Sequence, residues 1–404
     1  MRIMYLTDVG FDNPNSNNHL VESMLKSFLE KGHDVYLVQS HTTGKEPDIP
    51  QDLKKYNKFK CDTIAMPIVR KSNFILRYLS AIRYEFLAKK RWIKEIKTVD
   101  IVLLQSHYTA VYSCMLLSKY NRNIVFNIYD IFPGEAYTNK NIKSKLVYDF
   151  FYHVQKYLYK YCISLFTLTP DTRTTLLGLG VDKNKIHIIP NWFNEQQIHE
   201  VKFEDNTFIM EVGMDREHKY VQYAGSLGVS YDFDLIIRIA EKMRNREDII
   251  FQIVGNGLKY EHIINTIKDK QLNNVQVLPW QPVERLSEVY SACTMQIVPL
   301  RKDVIKNSYP SKILPLMACS RVPIVSVEKE SYFYDQINSE KVGVAIPIGD
   351  IELLKKNIEL IADDVDLRNE MQNNAYKFVH NNYTVEKNTC LMLEVFTEIQ
   401  KGSL

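Results

Sequence analysis

The chain has 404 residues, which is too long for one hydrophobic core and predicts two domains of ordinary size. A hydrophobic content of 45% and a charged content of 25% are typical of a soluble globular protein, and a net charge of +3 is too small to indicate nucleic acid as a partner. The six cysteines form no CxxC pair and have no neighbouring histidine, so we expect reduced core residues in a cytoplasmic protein rather than disulfides or zinc ligands.

The N-terminal half alternates apolar strand patterns with helical patterns, which predicts a parallel sheet covered by helices. The first strand begins at the N-terminus and is followed at once by a polar segment, so we do not interpret it as a signal peptide. No stretch reaches the roughly 20 apolar residues of a membrane span. The predicted strands are 2–7, 34–40, 100–104 and 124–128, and the first helix is 18–31.

Polar residues follow several of these strands, where ligands of parallel sheets bind. The loop 8–18, His107 after the third strand and Asp130 after the fourth are expected to line one side of a cleft. A histidine at a strand end is also often structural, and this alternative stays open.

A basic amphipathic segment lies between residues 71 and 97, with eight Lys or Arg and two Glu. Ile75, Leu79, Ile82 and Phe86 recur at helical spacing. Such a helix can lie on an anionic membrane surface, or it can pack its apolar stripe on the sheet. For residues 148–161, which are also rich in aromatics and lysine, we expect core packing.

A second alternating series begins near residue 221 and predicts another doubly wound domain. Residues 190–220 join the two series, and an amphipathic helix is predicted at 385–401. The strands of this series are predicted at 221–225, 250–254, 275–278, 294–298 and 322–326, and its helices at 232–245, 258–271, 283–292 and 311–319.

The segment 307–326 is the most informative of the chain. Pro310 suits a helix entry, Ser311 can cap the first N–H groups, and Lys312 adds a positive charge at a helix start. This combination predicts a site for a diphosphate. A solvated lysine is the alternative when the Pro-Ser-Lys step is taken alone.

Six short motifs, in this order along the chain, resemble those of the retaining glycosyltransferases of family 4, in particular the branch that builds bacterial capsular and exopolysaccharides. They are Tyr129–Pro133, Ile189–Phe193, Tyr223–Gly228, Val254–Gly257, Val277–Gln281 and the Pro310–Lys312 step with its apolar helix.

The resemblance implies an α/β protein of the GT-B class, with two doubly wound Rossmann-like domains facing across a cleft. Residues 1–195, completed by the C-terminal helix 385–404, would bind the acceptor, and residues 196–384 would bind a nucleotide-sugar donor, probably a UDP-sugar. The acceptor would be a lipid-linked or growing saccharide. Front-face transfer with retention would need neither a metal nor another cofactor. The expected location is the cytoplasm, with peripheral contact to an anionic membrane through 71–97.

The resemblance also implies roles for individual residues. Lys312, Asp130 and His107 are the catalytic candidates. The acceptor candidates are Asp12, Asn13, Asn17 and Glu135. The donor candidates are Gly225, Ser226, Ser230, Asn256, Trp280, Gln281, Asn307, Ser308, Ser311, Lys312 and Glu328.

Two family features are missing from this sequence. Ser230–Asp232 stand where many relatives place an Arg and a Lys that hold the diphosphate. Asn307 and Pro315 stand where much of the family has two glutamates for the sugar and the ribose. A nucleotide-sugar epimerase is disfavoured because it would need such carboxylates. A catalytically silent subunit that binds a partner enzyme or the membrane is the alternative from another class.

Overall fold

The protein is described by a computed structural model that covers residues 1–12, 18–67, 69 and 74–402. It forms two compact units. The first comprises Met1–Asn191, Lys306–Tyr309 and Val385–Leu404, and the second comprises Trp192–Ile305 and Pro310–Thr384. The inclusion of Lys306–Tyr309 in the first unit is not indicated by the sequence patterns.

Parallel strands form the sheet of the first unit in the order β3-β2-β1-β4-β5-β6-β7. The strands are β1 Arg2–Thr7, β2 Asp34–Thr42, β3 Phe59–Met66, β4 Ile101–Gln105, β5 Ile124–Asn127, β6 Ser164–Thr167 and β7 Ile186–Ile188. The helices are α1 Asn18–Glu30, α2 Gln51–Lys54, α3 Phe74–Ile96, α4 Ala110–Leu117, α5 Gly134–Thr138, α6 Lys145–Leu158 and α7 Pro170–Gly178. The strand order reverses between β1 and β4, the position at which doubly wound sheets bind ligands.

The C-terminal helix, Val385–Lys401, packs within the first unit. The ring of Phe396 lies 6.0 Å from that of Phe28 on α1 and 5.8 Å from that of Phe166 on β6. The hydroxyls of Ser27 and Thr389 share a buried hydrogen bond of 2.7 Å. Burial of these aromatic rings gives the helix a strong hydrophobic attachment to this unit.

The second unit repeats the same topology in the order β10-β9-β8-β11-β12-β13, with all strands parallel. Its strands are β8 Lys219–Ala224, β9 Ile249–Val254, β10 Val275–Leu278, β11 Met295–Pro299, β12 Val322–Val327 and β13 Val344–Pro347. Its helices are α8 Thr207–Val212, α9 Phe233–Lys242, α10 Tyr260–Asp269, α11 Leu286–Ala292, α12 Ile313–Ala318, α13 Tyr332–Ser339, α14 Ile351–Asp363 and α15 Val365–Asn382, and the C-terminal helix is α16. The reversal of strand order lies between β8 and β11.

A row of glutamines crosses the second sheet at one level. Gln222, Gln252, Gln276 and Gln296 are register partners on adjacent strands. Gln296 donates to Gln222 at 3.3 Å, Gln222 to Gln252 at 3.4 Å, and Gln252 to Gln276 at 3.0 Å. Each inner amide therefore satisfies its neighbour, which is the condition for keeping such groups in a core. We call these four residues the glutamine row.

The patterns missed four strands, β3, β6, β7 and β13. The strand β6 has only four residues, and β3 lies at the sheet edge, where most of its side chains are partly exposed. Short or half-polar strands lack the continuous apolar runs that identified β4 and β5.

Candidate functional site

Lys312 lies at the C-terminal edge of the second sheet, just before α12. Its Nζ donates a hydrogen bond of 2.7 Å to the hydroxyl of Tyr223 at the end of β8. The same atom lies 3.9 Å from the ring centroid of Tyr223 and 4.1 Å from that of Tyr231. Two aromatic faces therefore hold the ammonium by cation–π contact.

The strand-end loop after β8 is shaped around this ammonium. A Cβ atom on Gly225 would come within 2.7 Å of Lys312 Nζ, and the φ of Gly225 is +136°. Only glycine meets both conditions without strain. Tyr223 in turn donates to the carbonyl of Ser226 at 2.6 Å, so one chain of hydrogen bonds connects the lysine to the loop.

The charge of Lys312 is poorly compensated by the protein. Within the described ranges it forms no ion pair with a carboxylate. Burial lowers the pKa of Lys312 to about 7, even though part of its side chain remains exposed. An ammonium in this state gains free energy when an anion binds beside it.

Ser311 does not have the predicted capping role. The helix α12 begins at Ile313, its N-cap residue is Lys312, and no side chain caps it. Ser311 precedes the N-cap and is exposed. The helix is only six residues long, so the ammonium and the loop after β8, rather than a helix terminus, carry the anion-binding character.

Asn256 and its flanking glycines join the loop after β9 to the loop after β8. The Asn256 carbonyl accepts a hydrogen bond of 2.9 Å from Leu227, and its side chain accepts one of 2.7 Å from Gly257. A Cβ on Gly255 would collide with the carbonyl of Gly225 at 2.0 Å. Asn256, predicted as a donor contact, thus has a turn role in this structure.

Beyond β10, Trp280 is 57% exposed, so it does not serve as a core residue. Gln281 accepts a hydrogen bond of 3.2 Å from Arg285 and donates one of 3.2 Å to the carbonyl of Pro279. The exposed indole face is free of the core and can stack on a planar ring.

Glu328 follows β12 and has one unused oxygen. Its Oε1 accepts a hydrogen bond from the backbone N–H of Asp303. Its Oε2 is buried without a hydrogen-bond partner among the described residues. Ser230 lies in the same group of loops, where its carbonyl accepts a hydrogen bond of 3.0 Å from Arg301. A buried carboxylate oxygen without a donor is a strong acceptor for a ligand hydroxyl.

Asn307 and Ser308, predicted as donor contacts, lie in the first unit. The carbonyl of Asn307 accepts a hydrogen bond of 2.8 Å from Ile131, and its side chain lies so close to Gly134 that a Cβ there would be 2.0 Å from Oδ1. The structure thus groups Asn307 with the segment that follows β5, not with Lys312.

That segment contains Asp130 and Glu135. Desolvation and, to a smaller extent, the nearby charge of Glu135 together raise the pKa of Asp130 to about 7, although its side chain is exposed at the surface. Burial also raises the pKa of Glu135, whose Oε1 accepts a hydrogen bond from Asn139. With a pKa of about 7, the carboxyl group of Asp130 can exchange a proton with a ligand near neutral pH.

His107 is held between two carboxylates. Its Nε2 lies 2.9 Å from Oε1 of Glu85 on α3, and its Nδ1 lies 3.4 Å from Oδ2 of Asp8 after β1. Burial lowers the pKa of His107, but the charges of Asp8 and Glu85 outweigh it and leave the pKa raised. Both ring nitrogens are therefore occupied within the protein, unlike those of a histidine that contacts a substrate.

The first loop is only partly described. Oδ2 of Asp12 accepts a hydrogen bond of 2.8 Å from the backbone of Thr42 and so attaches this loop to β2. Asn13 and Asn17 lie outside the described residues.

Four side chains that contact the predicted residues were not named individually by the sequence analysis, namely Asp8, Glu85, Tyr223 and Tyr231. Asp8, Tyr223 and Tyr231 lie in segments that the sequence did single out, but nothing local indicates which of their side chains meet Lys312 or His107, since Tyr223 is 89 positions from Lys312. Glu85 lies inside a helix and carries no local signal.

The apolar stripe of α3 faces outward rather than toward the sheet. Ile75, Leu79 and Phe86 are exposed, whereas Tyr84 and Trp92 on the opposite face are buried in the core. The prediction that 148–161 packs in the core is wrong for its outer face, where Phe150 and Tyr157 are exposed.

We define the two-helix surface as the exposed apolar residues of α3 and α6, namely Ile75, Leu76, Leu79, Phe86, Leu146, Val147, Phe150 and Tyr157.

The helices α3 and α6 meet in this region, where the rings of Tyr78 and Phe151 are 5.1 Å apart. Exposed Arg83, Lys90 and Lys156 accompany the surface. No helix within residues 1–12, 18–67, 69 and 74–402 is both long and apolar enough to cross a bilayer.

Two family models match the chain. The family described as "Glycosyltransferase Family 4" matches residues 18–197, and "Glycosyl transferases group 1" matches residues 205–378. Among curated proteins, the "Putative colanic acid biosynthesis glycosyl transferase WcaI" of Escherichia coli strain K12 is 22% identical over 163 residues, which are 40% of this chain and 40% of that protein.

Solved structures share the fold over nearly the whole chain. The sucrose-phosphate synthase of Thermosynechococcus elongatus has a TM-score of 0.78 at 14% identity and covers 99% of both chains. The HepE protein of Anabaena in complex with UDP-glucose has a TM-score of 0.74 at 13% identity, covering 98% of this chain and 100% of that one. At these identities the similarity shows the fold, which is the GT-B class of α/β protein.

Proposed function

Because the chain belongs to glycosyltransferase family 4, we propose that it transfers a sugar, with retention, from a nucleotide-sugar donor to a lipid-linked or growing saccharide in bacterial surface polysaccharide synthesis. The curated relative that is named for colanic acid biosynthesis supports this process. The solved relative in complex with UDP-glucose supports a UDP-sugar as donor.

The observation that carries the proposal is the uncompensated ammonium of Lys312. Negative charge develops on the diphosphate as the sugar leaves, and a cation already fixed in place stabilises it without reorganisation. The two tyrosines and Gly225 hold the Lys312 ammonium at the edge of the sheet, next to the reversal of strand order. We therefore assign the diphosphate to this position.

Other donor groups follow from the neighbouring strand ends. We assign the base to the exposed face of Trp280 and a ribose hydroxyl to the partly exposed carboxylate of Glu328, which has an unpartnered oxygen among the described residues. Glu328 would then replace one of the glutamates that the family motif has and this chain lacks. Tyr231 lies in the segment where many relatives have an Arg and a Lys that hold the diphosphate. In this chain its ring contacts the Lys312 ammonium.

On the acceptor side we assign the attacking hydroxyl to Asp130. With a pKa near 7, its carboxylate can accept a hydrogen bond from the hydroxyl and raise its nucleophilicity. In retaining transfer the departing phosphate takes the proton, so no separate base is required. No metal is required either in this proposal, because the Lys312 ammonium stabilises the charge on the diphosphate. Transfer at an unchanged rate in excess EDTA, with the product anomer identified by NMR, would support both parts of this assignment.

We further propose that the two-helix surface contacts an anionic membrane, where lipid-linked saccharides are found. Its exposed apolar side chains and flanking cations are the combination that binds such surfaces. The double variant Leu79→Ser, Phe150→Ser should lose sedimentation with vesicles that contain phosphatidylglycerol. Val365→Ser, at an exposed apolar position in the second unit, is the matched control. Equal binding of both variants would reject this surface.

The decisive experiment is calorimetry of UDP, GDP and dTDP with the purified protein. We expect saturable binding of one diphosphate that is lost in Lys312→Ala and kept in Lys268→Ala, an exposed lysine of the same unit. The diphosphate that binds identifies the nucleotide, and transfer assays with sugars linked to that nucleotide then identify the donor. No binding of any diphosphate would instead favour a catalytically silent subunit.

A further inference from the structure

The first sheet has its own charged cluster at the reversal of strand order. Asp8 follows β1 and His107 follows β4, and these two strands are adjacent and parallel. Their ends therefore meet at the edge where doubly wound sheets bind ligands. Glu85 reaches the same point from α3.

Glu85 is a satisfied, buried carboxylate. It is 3% exposed. Oε1 lies 2.9 Å from Nε2 of His107 and accepts a hydrogen bond of 3.3 Å from Thr109, and Oε2 accepts one from Ser113. A buried carboxylate with these donors is held in one orientation and fixes the imidazole ring.

Asp8 differs from Glu85 because it is accessible. Its side chain is 20% exposed, and Oδ2 faces His107 at 3.4 Å. Burial raises the pKa of Asp8 and the charge of His107 lowers it, while Glu85 and Arg77 act on it more weakly. The cation of Arg77 also lies 5.2 Å from the ring centroid of Tyr108. Asp8 thus presents a partly exposed carboxylate at the ligand-binding edge.

We propose that Asp8 binds a hydroxyl group of the saccharide acceptor, and that His107 and Glu85 are positioning residues that hold its carboxylate as a charged, oriented acceptor. His107 acts as an imidazolium between the two carboxylates and does not itself contact the sugar. This inference rests on the proposed glycosyltransferase function and changes the role that the sequence analysis expected for His107.

The first test is NMR of protein labelled with nitrogen-15 histidine, with the signals assigned through His107→Gln. We expect the two ring nitrogens of His107 to keep the shifts of an imidazolium to a higher pH than those of an ordinary histidine. In Glu85→Gln the ring should lose its proton at a lower pH, because one of its two counter-charges is removed. A wild-type ring that titrates no higher than an ordinary histidine, or an unchanged titration in Glu85→Gln, would overturn the arrangement. Should Glu85→Gln fail to fold, Ser113→Ala is the milder variant. It removes one hydrogen bond to the Glu85 carboxylate and should shift the titration of His107 in the same direction by a smaller amount.

The second test separates acceptor from donor binding. Asp8→Asn should raise the acceptor KM by roughly 10-fold to 100-fold, as for loss of a hydrogen bond to a charged group, while the nucleotide affinity stays unchanged. Asp52→Asn, an exposed carboxylate on α2, is the control. An acceptor KM within about twofold of the wild type overturns the role of Asp8 but leaves the proposed function standing. Absence of transfer by the wild type with every donor would overturn both.

Discussion

Nucleotide affinity is expected to decrease as the pH rises above about 7, because the diphosphate binds the charged form of Lys312. The pKa of Lys312 in the free protein is about 7, lowered by burial. A bound diphosphate favours the ammonium, so the pKa rises on binding and a proton is taken up. The nucleotide affinity is therefore highest below the pKa that Lys312 has in the free protein and decreases as the pH rises above it.

The size of the effect follows from the fraction of Lys312 that is charged. With a pKa of about 7, this fraction is about one half at pH 7, one tenth at pH 8 and one hundredth at pH 9. The association constant should therefore fall about fivefold from pH 7 to 8 and about tenfold from pH 8 to 9. The second ionisation of a phosphate monoester has a pKa of about 6, so the ligand is mostly ionised at pH 7 and contributes little between pH 7 and 9.

Calorimetry in buffers of different ionisation enthalpy measures the effect directly. We expect uptake of about half a proton per nucleotide at pH 7 and nearly one at pH 8. In Lys312→Arg the guanidinium stays charged, so any remaining binding should be independent of pH. A constant affinity between pH 7 and 9, with no proton uptake at pH 8, would refute the assignment of the diphosphate to Lys312.

Three further predictions concern single side chains. Gly225→Ala should reduce nucleotide affinity roughly tenfold or more in calorimetry, since the new methyl group would lie 2.7 Å from Lys312 Nζ and displace it, and a fully retained affinity would contradict the site geometry. Gln252→Leu should lower the free energy of unfolding in urea by about 2 kcal/mol, because two amides of the glutamine row lose their partner. Gln276→Leu, at the end of the row, should cost less. If Asp130 acts as a carboxylate, transfer by the wild type should rise through about pH 7, and Asp130→Asn should remove this rise from the pH profile of kcat/KM.

The sequence alone was sufficient for much of the fold. Continuous apolar runs predicted β4 and β5, because strands buried on both faces of a parallel sheet consist mostly of apolar side chains. The C-terminal helix was predicted with the bounds that the structure has. The patterns were insufficient for β3 and β6, since an edge strand tolerates polar residues and a four-residue strand is too short for a pattern.

For the site, the sequence identified Lys312 through a local motif but could not give its surroundings. A Pro-Ser-Lys step before an apolar helix is visible in a few consecutive residues. Whether that lysine is solvated or held under two tyrosine rings depends on side chains about 80 or more positions away. The same holds for His107. Its position after a strand predicts a substrate contact, but in the folded protein Glu85 lies 2.9 Å from its Nε2.

Local patterns determine which segments become strands and helices, because hydrophobic periodicity acts over a few residues. The charge state and orientation of Lys312, Asp130 and His107 were decided only by the tertiary structure. Desolvation and Coulomb interactions depend on distance in space, and only the folded chain sets which groups come within a few ångströms of each other.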